Sequence, residues 1–146
     1  MTEDSVEIKT IIVYSYSPVN YSILLSLINK HKNPLIVSFD SPFYKRDVLA
    51  KTIESLRKLR IDHVIFEINE KANPFVNFSA ELKCYYCKSI RYSLLRKIFG
   101  KQAKIIDLEF PSREKAASQV IKAAIENNVD LKRGDTSCLE AMVLTT

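Results

Sequence analysis

The stretch LIVSFDSPFYKRDVLAKTIESLRKLRIDHVIFEI, residues 35–68, decides the fold. It opens on Leu35, Ile36, Val37 and Phe39, an apolar run that reads as a strand over 35–39. Asp40-Ser41-Pro42 then signals a turn. Residues 45–59 carry Val48, Leu49, Ile53, Leu56 and Leu59 on one helical stripe. A third β-rich run over 63–68 completes a strand–helix–strand unit, the pattern of parallel strands joined by a crossover helix.

Working outward, the pattern continues on both sides. Residues 10–14 form an apolar, β-branched run that reads as a buried first strand. Residues 20–30 place Ile23, Leu24, Leu27 and Ile28 on one helical stripe, which ends at His31-Lys32-Asn33-Pro34. After the central unit, residues 69–83 read as a loop with a turn at Asn73-Pro74. Residues 84–99 read as a helix closed by Gly100. A fourth strand is expected over 104–108, then a last helix from 111 to 127 with Ser112 as N-cap. A flexible N-terminus (1–9) and an irregular tail (129–146) flank a single domain. The expected architecture is a small doubly wound parallel sheet in a three-layer α/β/α arrangement. Ligands of such sheets sit beyond the carboxyl ends of the strands. Segments 15–21, 40–44, 69–87 and 107–112 should therefore meet at one edge.

Composition excludes several classes. Of 146 residues, 47% are hydrophobic, enough for a core without metal or disulfides. No apolar run approaches the roughly 20 residues that span a bilayer, so no membrane partner is expected. The start MTEDSVEIKT lacks the layout of a signal peptide, which points to a cytoplasmic protein. The net charge of +5 is mild. Lys83, Lys88, Arg91, Arg96, Lys97, Lys101 and Lys104 are dense enough to contact RNA, although most are expected on a solvated helix face. Three cysteines, Cys84, Cys87 and Cys138, argue against a disulfide framework and for metal or redox chemistry.

The segments FDSPFYKRDVLAKTIESLRKLRIDHVIFEI and NPFVNFSAELKCYYCKSIRYSLLRKI resemble the LarE-type sulfur-insertion proteins of the PP-loop ATP pyrophosphatase superfamily. Asp40, Ser41, Pro42, His63, Glu67, Cys84, Tyr85, Cys87 and Lys88 match that family's order and approximate spacing over residues 10–100. Thr136-Ser137-Cys138-Leu139-Glu140-Ala141 is similar to its cysteine-bearing tail segment. The resemblance implies a HUP-type (PP-loop-like) domain and ATP-dependent sulfur transfer. It also implies that Cys84, Cys87 and Cys138 ligate a 4Fe–4S cluster, or that Cys138 alone is a catalytic, sacrificial sulfur donor.

The residues qualify this. The family's S-G-G-x-D-S phosphate loop is replaced by Tyr16-Ser17-Pro18-Val19-Asn20-Tyr21. Both glycines are gone, Pro18 has no N–H to donate, and Asn20 replaces an acid that would help hold magnesium. Ser15, Ser17, Asn20 and Ser22, with Asp40 and Ser41, are the residues left to contact ATP, and binding should be lost or weakened. Cys84 and Cys87 have the two-residue gap of a metal or cluster pair, the alternative being two small buried residues at a helix start. Lys83, Lys88 and Arg91 would favour their thiolates and balance a cluster's charge. Zinc is the alternative metal. It would need a fourth ligand that His31 and His63 are poorly placed to supply. Asp40, Ser41, Asp107 and Glu109 at strand ends could hold magnesium or cap helices, and capping is the commoner role. The family's later helical domain has no counterpart here, which suggests a catalytic partner subunit or a homo-oligomer. Three functions compete: sulfur handling or iron–sulfur binding, active ATP pyrophosphatase chemistry in tRNA or cofactor thiolation, and a non-catalytic interaction subunit.

Overall fold

A computed structural model of the chain describes residues 8–78, 81–111, 114–132 and 134–136. The expected Ser112 cap, Cys138 and most of the tail lie outside these residues. Five strands form one sheet: β1 (Thr10–Val13), β2 (Leu35–Asp40), β3 (His63–Glu67), β4 (Lys104–Asp107) and β5 (Val129–Leu131). Their order is β3-β2-β1-β4-β5 and every pairing is parallel. Five helices connect them: α1 (Pro18–Lys30), α2 (Arg46–Leu59), α3 (Pro74–Phe78), α4 (Lys83–Phe99) and α5 (Glu114–Asn127). This is the expected doubly wound α/β/α fold, with one strand more than the sequence reading allowed.

The strand pattern explains the layers. Successive strand residues face opposite sides of a sheet, so a central parallel strand needs apolar residues at every position. Ile12, Ile36 and Ile106 face one side and pack with Leu24 and Leu27 of α1 and Leu56 of α2. Ile11, Val37 and Ile105 face the other, against Tyr92 and Leu95 of α4 and Ala123 and Ala124 of α5. Burying each such Ile contributes about 1.5–3 kcal/mol relative to exposure. The predicted stripe on α1 turns to the sheet, whereas of the α2 stripe only Leu56 and Leu59 join that cluster, and α2 also buries Thr52 and Ser55. These hydroxyls are used: Thr52 Oγ1 accepts from the Tyr16 amide at 2.9 Å, and Ser55 Oγ lies 2.8 Å from the Tyr14 hydroxyl.

Two elements depart from the sequence reading. The stretch 69–83 is not a plain loop, for it holds a 3-10 turn (Glu70–Ala72) and α3. Asn73-Pro74 is a helix start rather than a turn: Asn73 Oδ1 accepts the Phe75 amide at 2.8 Å, and Pro74 takes the first helical position, where a missing N–H costs nothing. The tail also contributes strand β5, paired through Ile105↔Val129, Ile106↔Asp130 and Asp107↔Leu131. Gly100 does close α4, with φ +89° and its amide on the Arg96 carbonyl at 2.9 Å. Among the described residues, no helix is long and apolar enough to cross a membrane.

Candidate functional site

The four segments expected at the carboxyl edge do meet there, and they meet in a buried polar network. α4 reaches into it with Lys88 and Arg91, which are only 5% and 1% exposed. Most basic residues of this series were expected on a solvated face, but Lys88 and Arg91 were expected beside the cysteines. They are buried because they share a stripe with Cys84, Cys87, Tyr92 and Leu95, the face that α4 turns inward. Lys97, Lys101 and Lys104 are exposed, so the basic series of this region is not one continuous surface.

Each buried cation has a carboxylate waiting at a strand end. Lys88 Nζ donates to Asp107 Oδ2 at 2.7 Å and lies 3.5 Å from Glu109 Oε1. Arg91 Nε donates to Glu70 Oε2 at 2.5 Å, Nη1 to the Tyr44 hydroxyl at 2.6 Å, and Nη2 to Ser41 Oγ at 3.3 Å. Tyr44 donates its own hydroxyl to Glu109 Oε2 at 2.6 Å, and Tyr92 donates to Asp107 Oδ2 at 2.5 Å. Ser41 Oγ donates to Glu70 Oε1 at 2.7 Å. Three carboxylates thus face two cations, and hydroxyls, the Glu109 amide and the Cys87 thiol supply further donors. For Asp107 and Glu109, capping was the commoner role expected. Asp107 does accept the Glu109 amide at 2.8 Å, but both are also partners of Lys88.

Electrostatics follow from enclosure. Burial alone would raise the Glu109 carboxyl, but the charges of Lys88 and Arg91, with hydrogen bonds from Ser15 and Tyr44, hold it below its ordinary value of 4.5. Burial likewise opposes the Lys88 charge, and Asp107 and Glu109 outweigh it, so its ammonium is held above the ordinary value of 10.5. A depressed carboxyl stabilises the fold above its unfolded value and stops doing so as pH falls through the folded value. Stability should therefore be flat near neutrality and fall once pH drops below about 4.5, continuing to lower pH. Chemical denaturation at stepped pH checks this, and Glu109→Gln should flatten the acid limb.

The phosphate-loop position is closed. Ser17 caps α1, its Oγ accepting the Asn20 amide at 2.9 Å. Asn20 is fully buried. Its Nδ2 donates to the Ser15 carbonyl and to the Asp135 carbonyl, both at 2.9 Å, while its Oδ1 accepts the Asp135 amide at 2.7 Å. A Cβ on Gly134 would lie far inside van der Waals contact with Asn20 Oδ1 and the Leu108 carbonyl. Segment 134–136 therefore lies between the start of α1 and the end of β4. That is the crevice where the strand order reverses and where such sheets take ligands. The residues present do not fit a triphosphate there, because the backbone donors and the space it would use are already taken by the chain.

The other expected contacts are dispersed. Ser22 is exposed on α1, and Asp40 is paired with Arg46 Nη1 at 2.8 Å. Ser15 and Ser41 are buried in the network. Cys84 and Cys87 sit on one face of the first turns of α4, each 4% exposed and each within the apolar cluster. Cys87 Sγ donates to Glu70 Oε2 at 3.7 Å. The α4 start lacks its own side-chain cap; Gln119 of α5 accepts the Tyr85 amide at 3.1 Å instead. Two thiols on one helix face are suitable soft donors for iron–sulfur or zinc. Among the described residues no group of three or more His, Cys, Asp or Glu is arranged to hold a metal ion, and Cys138 lies outside those residues. His31 follows α1 and His63 begins β3, as expected. Glu70 was missed by sequence reasoning, because the 3-10 turn that carries it was read as loop.

Neither a family model nor a curated protein matches the sequence. Solved structures do match. One is a predicted subunit of tRNA methyltransferase from Methanocaldococcus jannaschii, at TM-score 0.56 and 11% identity over 89% of this chain and 69% of that one. Another is the NMN synthetase from Francisella tularensis, at TM-score 0.55 and 11% identity over 82% of this chain and 61% of that one. The likeness shows the fold. The chain is a doubly wound parallel α/β domain that spans about two thirds of the length of these neighbours.

Proposed function

We propose that this chain is a PP-loop-like domain that no longer takes a nucleotide and instead handles sulfur, or holds an iron–sulfur cluster, through Cys84, Cys87 and Cys138. The observation that carries the reading is the clamp of Asn20 on Asp135. It fills the phosphate crevice with the chain's own backbone, and it fixes a segment at the carboxyl edge three residues before Cys138 in the sequence. Cys87 adjoins the same edge through Glu70. The soft donors and the neighbouring cations Lys88 and Arg91 suit a thiolate-held group, with Cys138 as the third ligand or as the sulfur donor. The coarser kinship with a tRNA methyltransferase subunit and with NMN synthetase agrees with descent from a nucleotide-using domain. The test is anaerobic reconstitution of the full chain followed by iron and sulfide analysis, with Cys84→Ala alongside.

A second reading has its own observation. Both described thiols are buried in the apolar cluster, which suits a non-catalytic subunit whose cysteines only pack. Wild-type protein that takes up neither iron nor sulfide would leave this reading in place of the first. An active ATP pyrophosphatase in tRNA or cofactor thiolation requires the crevice to open. Calorimetry of the protein with ATP and magnesium should give no binding heat, and a saturable isotherm would favour the pyrophosphatase.

A further inference from the structure

We propose that the groove beside the end of α1, on the open face of β4 and β5, binds the phosphodiester backbone of a single-stranded nucleic acid. Parallel sheets are normally covered on both faces. Ile106 of β4 belongs to the face that packs on α1, and Asp130 of β5 is its register partner on that same side, yet Asp130 is exposed. The groove there measures about 490 Å³. Its wall and rim carry Lys30 and His31 from the end of α1, Lys104 from β4, and Asp130 and Lys132 from the β5 edge. Among the described residues, none of the three lysines has an ion-pair partner, although each is exposed.

The chemistry favours a spaced polyanion over a compact one. Lysine ammoniums act as single point charges, and three elements supply one each. The groove has neither an arginine fork nor a helix start to grip one terminal phosphate, and the carboxylate of Asp130 opposes a concentrated charge. His31 adds a reporter. Partial burial, and then the charges of Lys104, Lys132 and Lys30, push its imidazole below the ordinary value of 6.5. It is therefore uncharged at neutral pH, with Lys30, Lys104, Lys132 and Asp130 as the charged groups facing it. A bound phosphate chain would offset the lysines and let His31 take up a proton, so binding should tighten as pH falls.

The test is fluorescence anisotropy of a labelled RNA of about 12 nucleotides, within the usual site size for single strands. Three phosphate contacts on a single strand predict a log–log salt slope of about −2. Lys30→Glu with Lys104→Glu should weaken binding at least about tenfold, and Lys132→Ala alone a few-fold. The control pair Lys97→Glu with Lys101→Glu carries the same change in net charge on exposed positions of α4 and beyond, and should stay within about twofold. His31→Gln should remove the tightening between about pH 7.5 and 6. Matched thermal melts of these surface variants separate binding from folding. The proposal is overturned if both charge pairs weaken binding equally, if no RNA binds, or if pyrophosphate competes as well as RNA at equal phosphate concentration.

Discussion

Replacing Arg91 with alanine is expected to remove about 3–5 kcal/mol of stability, a large part of the 5–15 kcal/mol typical of a domain. Arg91 joins Glu70, Tyr44 and Ser41 directly and lies 3.6 Å from Glu109. Those partners come from the ends or following turns of β2, β3 and β4, so one guanidinium ties three strand ends to α4. Removal leaves Glu70, which is 1% exposed, as a buried charge without its counter-ion. Arg91→Lys should recover only part of the loss, since an ammonium cannot reproduce the planar fork. The double change Arg91→Met with Glu70→Gln should be less destabilising than Arg91→Met alone, because the stranded charge is gone. Urea denaturation measures all four variants. A loss under about 1 kcal/mol for Arg91→Ala would mean that the network is solvated in solution.

Placing at Asn20 the acid of the resembled family's phosphate loop should damage this protein. Asn20→Asp removes the two N–H bonds to the carbonyls of Ser15 and Asp135 and sets a carboxylate against them. A loss of about 2–4 kcal/mol is expected, the cost of burying an unsatisfied or repelled polar group. The Asp135 amide should also exchange with solvent faster, because repulsion of the Asp135 carbonyl loosens the segment even though the new carboxylate can still accept that amide. Gly134→Ala should loosen the same segment through its clash with Asn20 and Leu108. Gly100→Ala is the contrast: a Cβ there meets nothing within 4 Å, so only the strain of φ +89° is felt, about 1 kcal/mol. If Asn20→Asp is as stable as wild type and binds ATP with magnesium, the clamp is only a lid over a working site.

The layers of this fold could be read from the sequence because strands 10–14, 35–39, 63–68 and 104–108 carry apolar residues on both faces, a pattern that only a covered parallel sheet requires. Strand β5 could not be read, since three residues following a helix carry no periodicity. The convergence of four segments at one edge followed from topology, but the network itself did not. Lys88 and Arg91 were placed beside the cysteines but not paired with acids; their spacing from Cys84, Cys87 and Leu95, set against the acids at the end of β4, marks them as buried. Spacing of that kind is the signal that was available. Asn20 was read as standing where the resembled family has an acid, and not as a clamp, because its partner Asp135 lies 115 residues away in the chain. The cysteine pair was legible as a motif, whereas its depth was set by the packing of α4 on α5.

Metal uptake bears most directly on whether this domain handles sulfur through Cys84, Cys87 and Cys138. After anaerobic incubation with ferrous iron and sulfide, then desalting, the wild type is predicted to retain iron and sulfide in equal amounts with visible absorbance. Cys84→Ala, Cys87→Ala and Cys138→Ala should each retain far less while melting as folded proteins. A colourless wild type without bound iron or sulfide, at unchanged stability, would contradict the account.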